Sequence, residues 1–256
     1  MRTPLILSAL LLTTTAAAGT LRVGASPVPH AEILNFVKPI LAKQGVTLVI
    51  REFNDYVQPN LALADGSIDV NFFQHAPYLG AFQKDRPLGI VAGATVHVEP
   101  MGLYSRRVKT LRDLKTGATI AIPNDPSNSG RALKLLERAG LIRLKAGVGT
   151  GATALDITSN VKRLKFREID AAQLPRTLAD VDAAVINTNY ALDAGLNPLK
   201  DALTLEGASS PYANLLAVKP ATLKNPDYLK LVAALRSPAT RTFILNTYKG
   251  AVVPAF

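Results

Sequence analysis

The chain has 256 residues, 48% of them hydrophobic and 19% charged, a balance that suits two small folded lobes and excludes a disordered or low-complexity polypeptide. Its 29 Lys and Arg against 19 Asp and Glu leave a formal charge of +10, but the basic residues are scattered. The densest stretch, Lys162-Arg163-Leu164-Lys165-Phe166-Arg167, is broken by apolar side chains and reads as a solvated strand or edge, not as a nucleic-acid surface. Cysteine is absent, which removes disulfides, thiolate chemistry, Cys-ligated metals and a lipobox cysteine from consideration.

Residues 1–18 have the pattern of a secretory signal peptide. A basic start at Arg2 is followed by an apolar run from Pro4 to Leu12 and by Ala16-Ala17-Ala18, with cleavage expected before Gly19. The run is shorter than the roughly 20 apolar residues a membrane span needs. The expected location is therefore outside the cytoplasm: periplasmic, or on the extracellular face of the cytoplasmic membrane, peripheral to it.

Leu21 to Ala25 reads as a strand ending at Ser26-Pro27. Ala31 to Lys43 has apolar residues at helical spacing (Ile33, Leu34, Val37, Ile40, Leu41) and stops at Gly45. Val46 to Phe53 is strand-like, Leu61 to Ala64 helical, Ile68 to Phe72 a strand and Pro77 to Lys84 helical. Thr119 to Ile122 reads as a strand, 123–128 as a loop, and Ser129 to Ala139 as an amphipathic helix closed by Gly140. Leu174 to Ala179 is a short helix, Ala183 to Ile186 a buried strand and Leu215 to Val218 another. Helices are expected near Tyr228–Leu235 and Thr240–Tyr248.

Strand and helix thus alternate about every twenty residues, which points to an α/β protein with mostly parallel sheets. Ligands of such sheets bind beyond the carboxyl ends of the strands. The segments to examine are accordingly Ser26-Pro27, Phe73-Gln74-His75, Asn124 to Arg131 and Asn187 to Tyr190.

Catalytic signatures are missing: there is no G-x-S-x-G, P-loop or H-E-x-x-H. Gly147-Val-Gly-Thr-Gly-Ala152 matches a loose dinucleotide fingerprint but lacks the strand before it and the helix after it, so it reads as a turn. His30, His75 and His97 are too dispersed for a metal site on one element, and neither metal nor cofactor is expected. An enzyme would need a titratable pair in the cleft, and the candidate wall offers one His with no carboxylate nearby; Asp125 is expected to cap the helix.

The residues do suit a zwitterion with an apolar side chain. Phe72-Phe73-Gln74-His75-Ala76-Pro77-Tyr78 packs three aromatics and an imidazole together; strand alternation makes Phe72 core and Phe73 lining. Aromatic faces favour a thioether by about 0.3–1.5 kcal/mol. Arg131, read as opening its helix, offers a bidentate clamp for a carboxylate and is expected to be a ligand contact alone. Asn187 and Asn214 offer an acceptor for an ammonium and donors for a carboxylate.

These same stretches resemble the NlpA-type methionine-binding lipoprotein family, the substrate-binding components of methionine ABC importers. The matching segments are Phe53-Asn-Asp-Tyr-Val-Gln-Pro-Asn60, Phe73-Gln-His-Ala-Pro-Tyr-Leu79, Ile122-Pro-Asn-Asp-Pro-Ser-Asn128 with Gly130-Arg-Ala-Leu133, Ala171-Ala-Gln-Leu-Pro-Arg176 and Ala184-Val-Ile-Asn-Thr-Asn-Tyr-Ala191.

The resemblance implies a type II periplasmic-binding-protein fold, with lobe 1 formed by 19–102 plus 213–256 and lobe 2 by 103–212. It implies that Tyr56, Phe73, His75 and Tyr78 line a side-chain pocket. Arg131 would hold the carboxylate, and Asn187 and Asn214 the amino and carboxylate groups, with Asn128 adjacent. The implied partners are methionine, or another apolar amino acid or methionine dipeptide, and an ABC permease with its ATPase; a monomer is expected. The competing classes are a cleft enzyme and a surface adhesin.

Overall fold

The computed structural model describes residues 19–207 and 210–256; the signal-peptide segment 1–18 lies outside the described residues. In chain order the first elements are β1 (Gly19–Ala25), α1 (Glu32–Ala42), β2 (Val46–Glu52), α2 (Gln58–Asp65), β3 (Val70–His75), α3 (Ala76–Asp85), β4 (Val91–Val98), β5 (Gly102–Tyr104) and β6 (Thr119–Pro123). Then come α4 (Pro126–Arg138), β7 (Arg143–Leu144), β8 (Ile157–Ser159), β9 (Lys165–Ile169), α5 (Leu174–Thr177), β10 (Ala183–Ile186), α6 (Thr188–Asp193), α7 (Pro198–Asp201) and β11 (Ala202–Leu205). The chain ends with β12 (Ala213–Val218), α8 (Pro226–Leu235), α9 (Pro238–Tyr248) and β13 (Val253–Pro254).

Two lobes result, each built on one sheet. The first sheet has the order β13-β4-β12-β3-β1-β2 and the second β11-β5-β10-β6-β9. The chain passes from the first to the second through Glu99-Pro100-Met101 and returns between β11 and β12. Gly102 already pairs with Ile186 of β10 and so belongs to the second sheet.

The sheets are mixed rather than mostly parallel. β1 runs parallel to β2 and β3, and β6 parallel to β9 and β10, as βαβ units require. β12 and β5, the strands on which the chain enters a sheet after crossing, are antiparallel to their neighbours. The alternation of elements reveals the parallel half and not the returning strands.

Each lobe has its own apolar core. In the first, Ile33, Leu34, Val37 and Leu41 form the buried stripe of α1 against Val23, Leu48 and Val70. Gly45 at φ +75° turns the chain from this helix into β2 in a conformation that a β-carbon would disfavour. In the second, Leu133 and Leu136 of α4 pack on Ile120, Ile122 and Val185. β9, with Lys165 and Arg167 exposed, is the edge strand expected of the basic stretch.

Three local readings change, each at a place where the site is built. Phe73, Gln74 and His75 lie within β3 rather than after it, because the strand is paired along that length by β12. α4 begins at Pro126, capped by Asp125 Oδ1, which accepts the Asn128 N–H at 2.9 Å; Arg131 is therefore in the second turn. Asn214 lies inside β12, opposite His75 on one side and His97 on the other, next to register shifts that break the strand's alternation.

A ligand cavity between the lobes

All eight residues expected at the site line one cavity between the two sheets: Tyr56, Phe73, His75, Tyr78, Asn128, Arg131, Asn187 and Asn214. Gln74, Glu99, Thr188 and Asn189 complete the wall. Each sheet contributes through the ends of its strands: β3 and β12 from the first lobe, the β6–α4 and β10–α6 junctions from the second.

The aromatic wall stands on the first lobe. The ring centres of Tyr56, Phe73 and Tyr78 are 5.7–5.8 Å apart, and Tyr190 closes on Tyr56 at 4.9 Å from the second lobe. Phe72, one residue along β3, points the other way into the core. The Tyr78 hydroxyl donates to the Tyr56 carbonyl at 2.8 Å, and the Tyr56 hydroxyl donates to Asn189 Oδ1 at 2.6 Å, so the cage is tied to both lobes.

A chain of hydrogen bonds fixes the polar wall. The Asn128 side-chain amide donates to both oxygens of Asp125, at 3.1 and 2.9 Å, and so turns its Oδ1 to the cavity side. That oxygen accepts from His75 Nε2 at 3.2 Å and from Asn187 Nδ2 at 3.1 Å. The Tyr78 N–H donates to His75 Nδ1 at 3.2 Å, which sets the proton on Nε2. Asn187, having spent its amide on Asn128, is left with a buried Oδ1 that has no partner among the described residues. Burial pushes the pKa of His75 down to about 3, with the nearby Arg131 acting in the same direction, so the ring is a neutral dipole.

Arg131 is already engaged. Its Nε and Nη2 donate to the Glu206 carboxylate, with Nη2 to Oε2 at 2.5 Å, and Nη2 also donates to the Glu99 carbonyl at 2.7 Å. The guanidinium lies 4.3 Å from the centre of the Tyr212 ring. One terminal nitrogen, Nη1, remains without a protein acceptor among the described residues, so the side chain offers a ligand one edge rather than a two-pronged clamp. It is also a structural ion pair, not a ligand contact alone.

The wall does contain a carboxylate, contrary to the expectation from sequence. Glu99, on the outgoing crossover, lines the cavity with 5% of its surface exposed. Its Oε1 lies 2.7 Å from His97 Nε2 and 3.2 Å from His30 Nε2, and His30 Nε2 is also 3.2 Å from Asn214 Oδ1. These three side chains are the one group among the described residues whose spacing could hold a metal ion, the ligand atoms lying within 4.8 Å of each other. Metal ligation by both Nε2 atoms would move two protons onto the Nδ1 atoms, which are buried with no acceptor among the described residues. The pattern instead fits two neutral imidazoles donating to a carboxylate. Burial lowers the pKa of His30 to about 4 and of His97 to about 3, and raises that of Glu99.

Two α/β lobes, two crossovers and a polar-aromatic cavity between them define a solute-binding protein of the periplasmic type. The model of the NlpA lipoprotein family matches residues 21–256, and the chain belongs to that family. It is 44% identical over 213 residues to the D-methionine-binding lipoprotein MetQ of Salmonella typhimurium, covering 82% of this chain and 79% of that one.

Among solved structures, a nutrient-binding protein from Burkholderia cenocepacia bound to methionine is 50% identical with a TM-score of 0.89, covering 92% of this chain and all of the other. A periplasmic substrate-binding protein of an ABC transporter from Coxiella burnetii is 49% identical with a TM-score of 0.88 over the same shares. No helix among the described residues is long and apolar enough to cross a membrane.

Proposed function

We propose that this protein is the exported solute-binding component of an ABC importer, capturing methionine between its lobes and delivering it to the permease and its ATPase. The observation that carries the reading is that one small cavity joins a Tyr56–Phe73–Tyr78 aromatic cage to the polar groups of Arg131, Asn187 and Asn214. The cage suits a thioether, whose sulfur gains about 0.3–1.5 kcal/mol over a ring. The polar groups suit an α-amino and an α-carboxylate group. Similarity to a methionine-bound protein at 50% identity supports the same ligand.

The eight lining residues act as the binding site, with lobe 1 taken as 19–101 plus 213–256 and lobe 2 as 102–212, one residue from the expected boundary because Gly102 pairs in the second sheet. His75 to Asn128 and Tyr56 to Asn189 join the lobes across the cavity, so ligand held between them favours the closed arrangement. The test is calorimetry on protein refolded free of small molecules. One site per chain, tight for methionine and far weaker for Asp, Glu or Lys, is expected. Equal binding of charged and apolar amino acids would refute the reading. Mass spectrometry of compounds released on denaturation separates methionine from a dipeptide by mass, and chiral chromatography of the same fraction assigns the enantiomer.

A further inference from the structure

The charges around the cavity do not cancel, and the imbalance has one location. Arg131 is neutralised by Glu206, whose carboxylate it meets through two nitrogens. Asp125 sits at the N-terminus of α4, its charge met by the N–H of Asn128 and by the Asn128 side-chain amide. His75, His30 and His97 are buried and neutral. What remains among the described residues is Glu99, a carboxylate lining the cavity that is met by the His30 and His97 imidazoles and the Asn189 backbone N–H, while the nearest cation, Arg131, is already paired to Glu206.

A buried carboxylate without a counter-charge is expensive, and a cation brought to it recovers much of that cost. The second group that looks for a donor is Asn187 Oδ1, fixed in that orientation by the Asp125–Asn128 chain. Both line the same cavity.

We infer that Glu99, with Asn187 Oδ1, forms the ammonium subsite, so that Glu99 is the residue that makes a free amino group a condition of binding. The inference rests on the amino-acid reading above and names the charge that recognises one end of that ligand. His30 and His97 are positioning residues: their Nε2–H groups hold the carboxylate in place, and Asn214 in turn holds His30. Arg131, with its charge already paired, contributes less to selecting the carboxylate end than its type suggests.

The test compares methionine with 4-(methylthio)butanoate, which keeps the thioether and carboxylate but lacks the amino group, on wild type and on Glu99→Gln. On wild type, loss of the amino group should weaken binding by roughly thirtyfold or more, the scale of an unpaired buried charge. Glu99→Gln should weaken methionine by a comparable factor and leave 4-(methylthio)butanoate unchanged or tighter. Equal weakening of both compounds by Glu99→Gln would make Glu99 a structural residue and overturn the assignment while leaving methionine capture intact. Wild type binding both compounds equally overturns it without any variant, so the result does not depend on Glu99→Gln folding. Wild type that binds neither compound overturns the functional reading and this inference with it.

Discussion

His75 on β3 and Asn128 on α4 are held together across the cleft, Nε2 to Oδ1 at 3.2 Å, although they belong to different lobes and lie 53 positions apart in the chain. The Asn128 oxygen also orients Asn187, so a single acceptor organises one residue of each lobe. Asn128→Ala should leave two buried donors unpaired, at about 1–3 kcal/mol each. Methionine affinity should drop by at least about tenfold, and small-angle scattering should show less compaction on adding ligand. Unchanged affinity would place the His75–Asn128 contact outside the binding equilibrium.

Arg131→Ala should damage both binding and stability. Removing the guanidinium strands the Glu206 carboxylate, and breaking a buried pair typically costs about 3–5 kcal/mol. Urea unfolding of the ligand-free variant should show that loss. Arg131→Lys should lose nearly as much, because an ammonium cannot reach Glu206 and the Glu99 carbonyl through the same fork. A variant with wild-type unfolding and weakened binding would restore the simpler role of a pure ligand contact.

Tyr56→Phe keeps the ring of the cage and removes the hydroxyl that donates to Asn189 at 2.6 Å. The change should cost about 0.5–1.5 kcal/mol in methionine affinity, whereas Tyr56→Ala, which also opens the cage, should cost several times more. Calorimetry that finds the two variants equal would assign the effect of Tyr56 to its hydroxyl alone.

Stability should fall as pH drops below about 6.5. The folded-state pKa values of His75, His30 and His97 lie at about 3, 4 and 3, below their unfolded value. The unfolded chain therefore takes up these protons first, and the stability present above the unfolded pKa is lost as pH descends towards the folded values. Each histidine contributes a slope of about 1.4 kcal/mol per pH unit in that window. Glu99, whose pKa is raised, offsets part of this because the folded state holds its proton more readily. His75→Gln should flatten the slope of unfolding free energy between pH 6 and 4.5 by about one histidine's share; an unaltered slope would mean that His75 titrates normally in the fold.

Local chemistry made much of the site legible. The Phe72–Phe73 alternation, the capping aspartate at 125 and the amide groups at 187 and 214 each follow from their immediate neighbours in sequence. Tyr56 carries no such signal; it emerged from the family resemblance, since a tyrosine in a polar turn looks like any other. Glu99 and Glu206 were invisible for a physical reason. Glu206 takes its role from Arg131, 75 positions away, and although His97 lies two residues from Glu99, the cavity wall around that carboxylate is completed by His30, 69 positions away. β4 and β5 carry too weak a pattern to read from sequence: Ala92-Gly93-Ala94 breaks the alternation of the first, and the second has three residues and begins at a glycine.

Arg131 touches both passages between the lobes: the Glu99 carbonyl on the outgoing one and the Glu206 carboxylate on the returning one. The guanidinium is thus a rivet through the two straps that join the halves of the molecule. Any swing of one lobe on the other must work around that fastening, so the side chain beside the solute also sets the travel of the jaws. Re-engineering this protein for a ligand of different charge by replacing Arg131 would loosen its mechanics in the same stroke. Glu99 and Asn187, which line the cavity without fastening both straps, are on the ammonium assignment inferred above the positions where selectivity can be altered while the motion is kept.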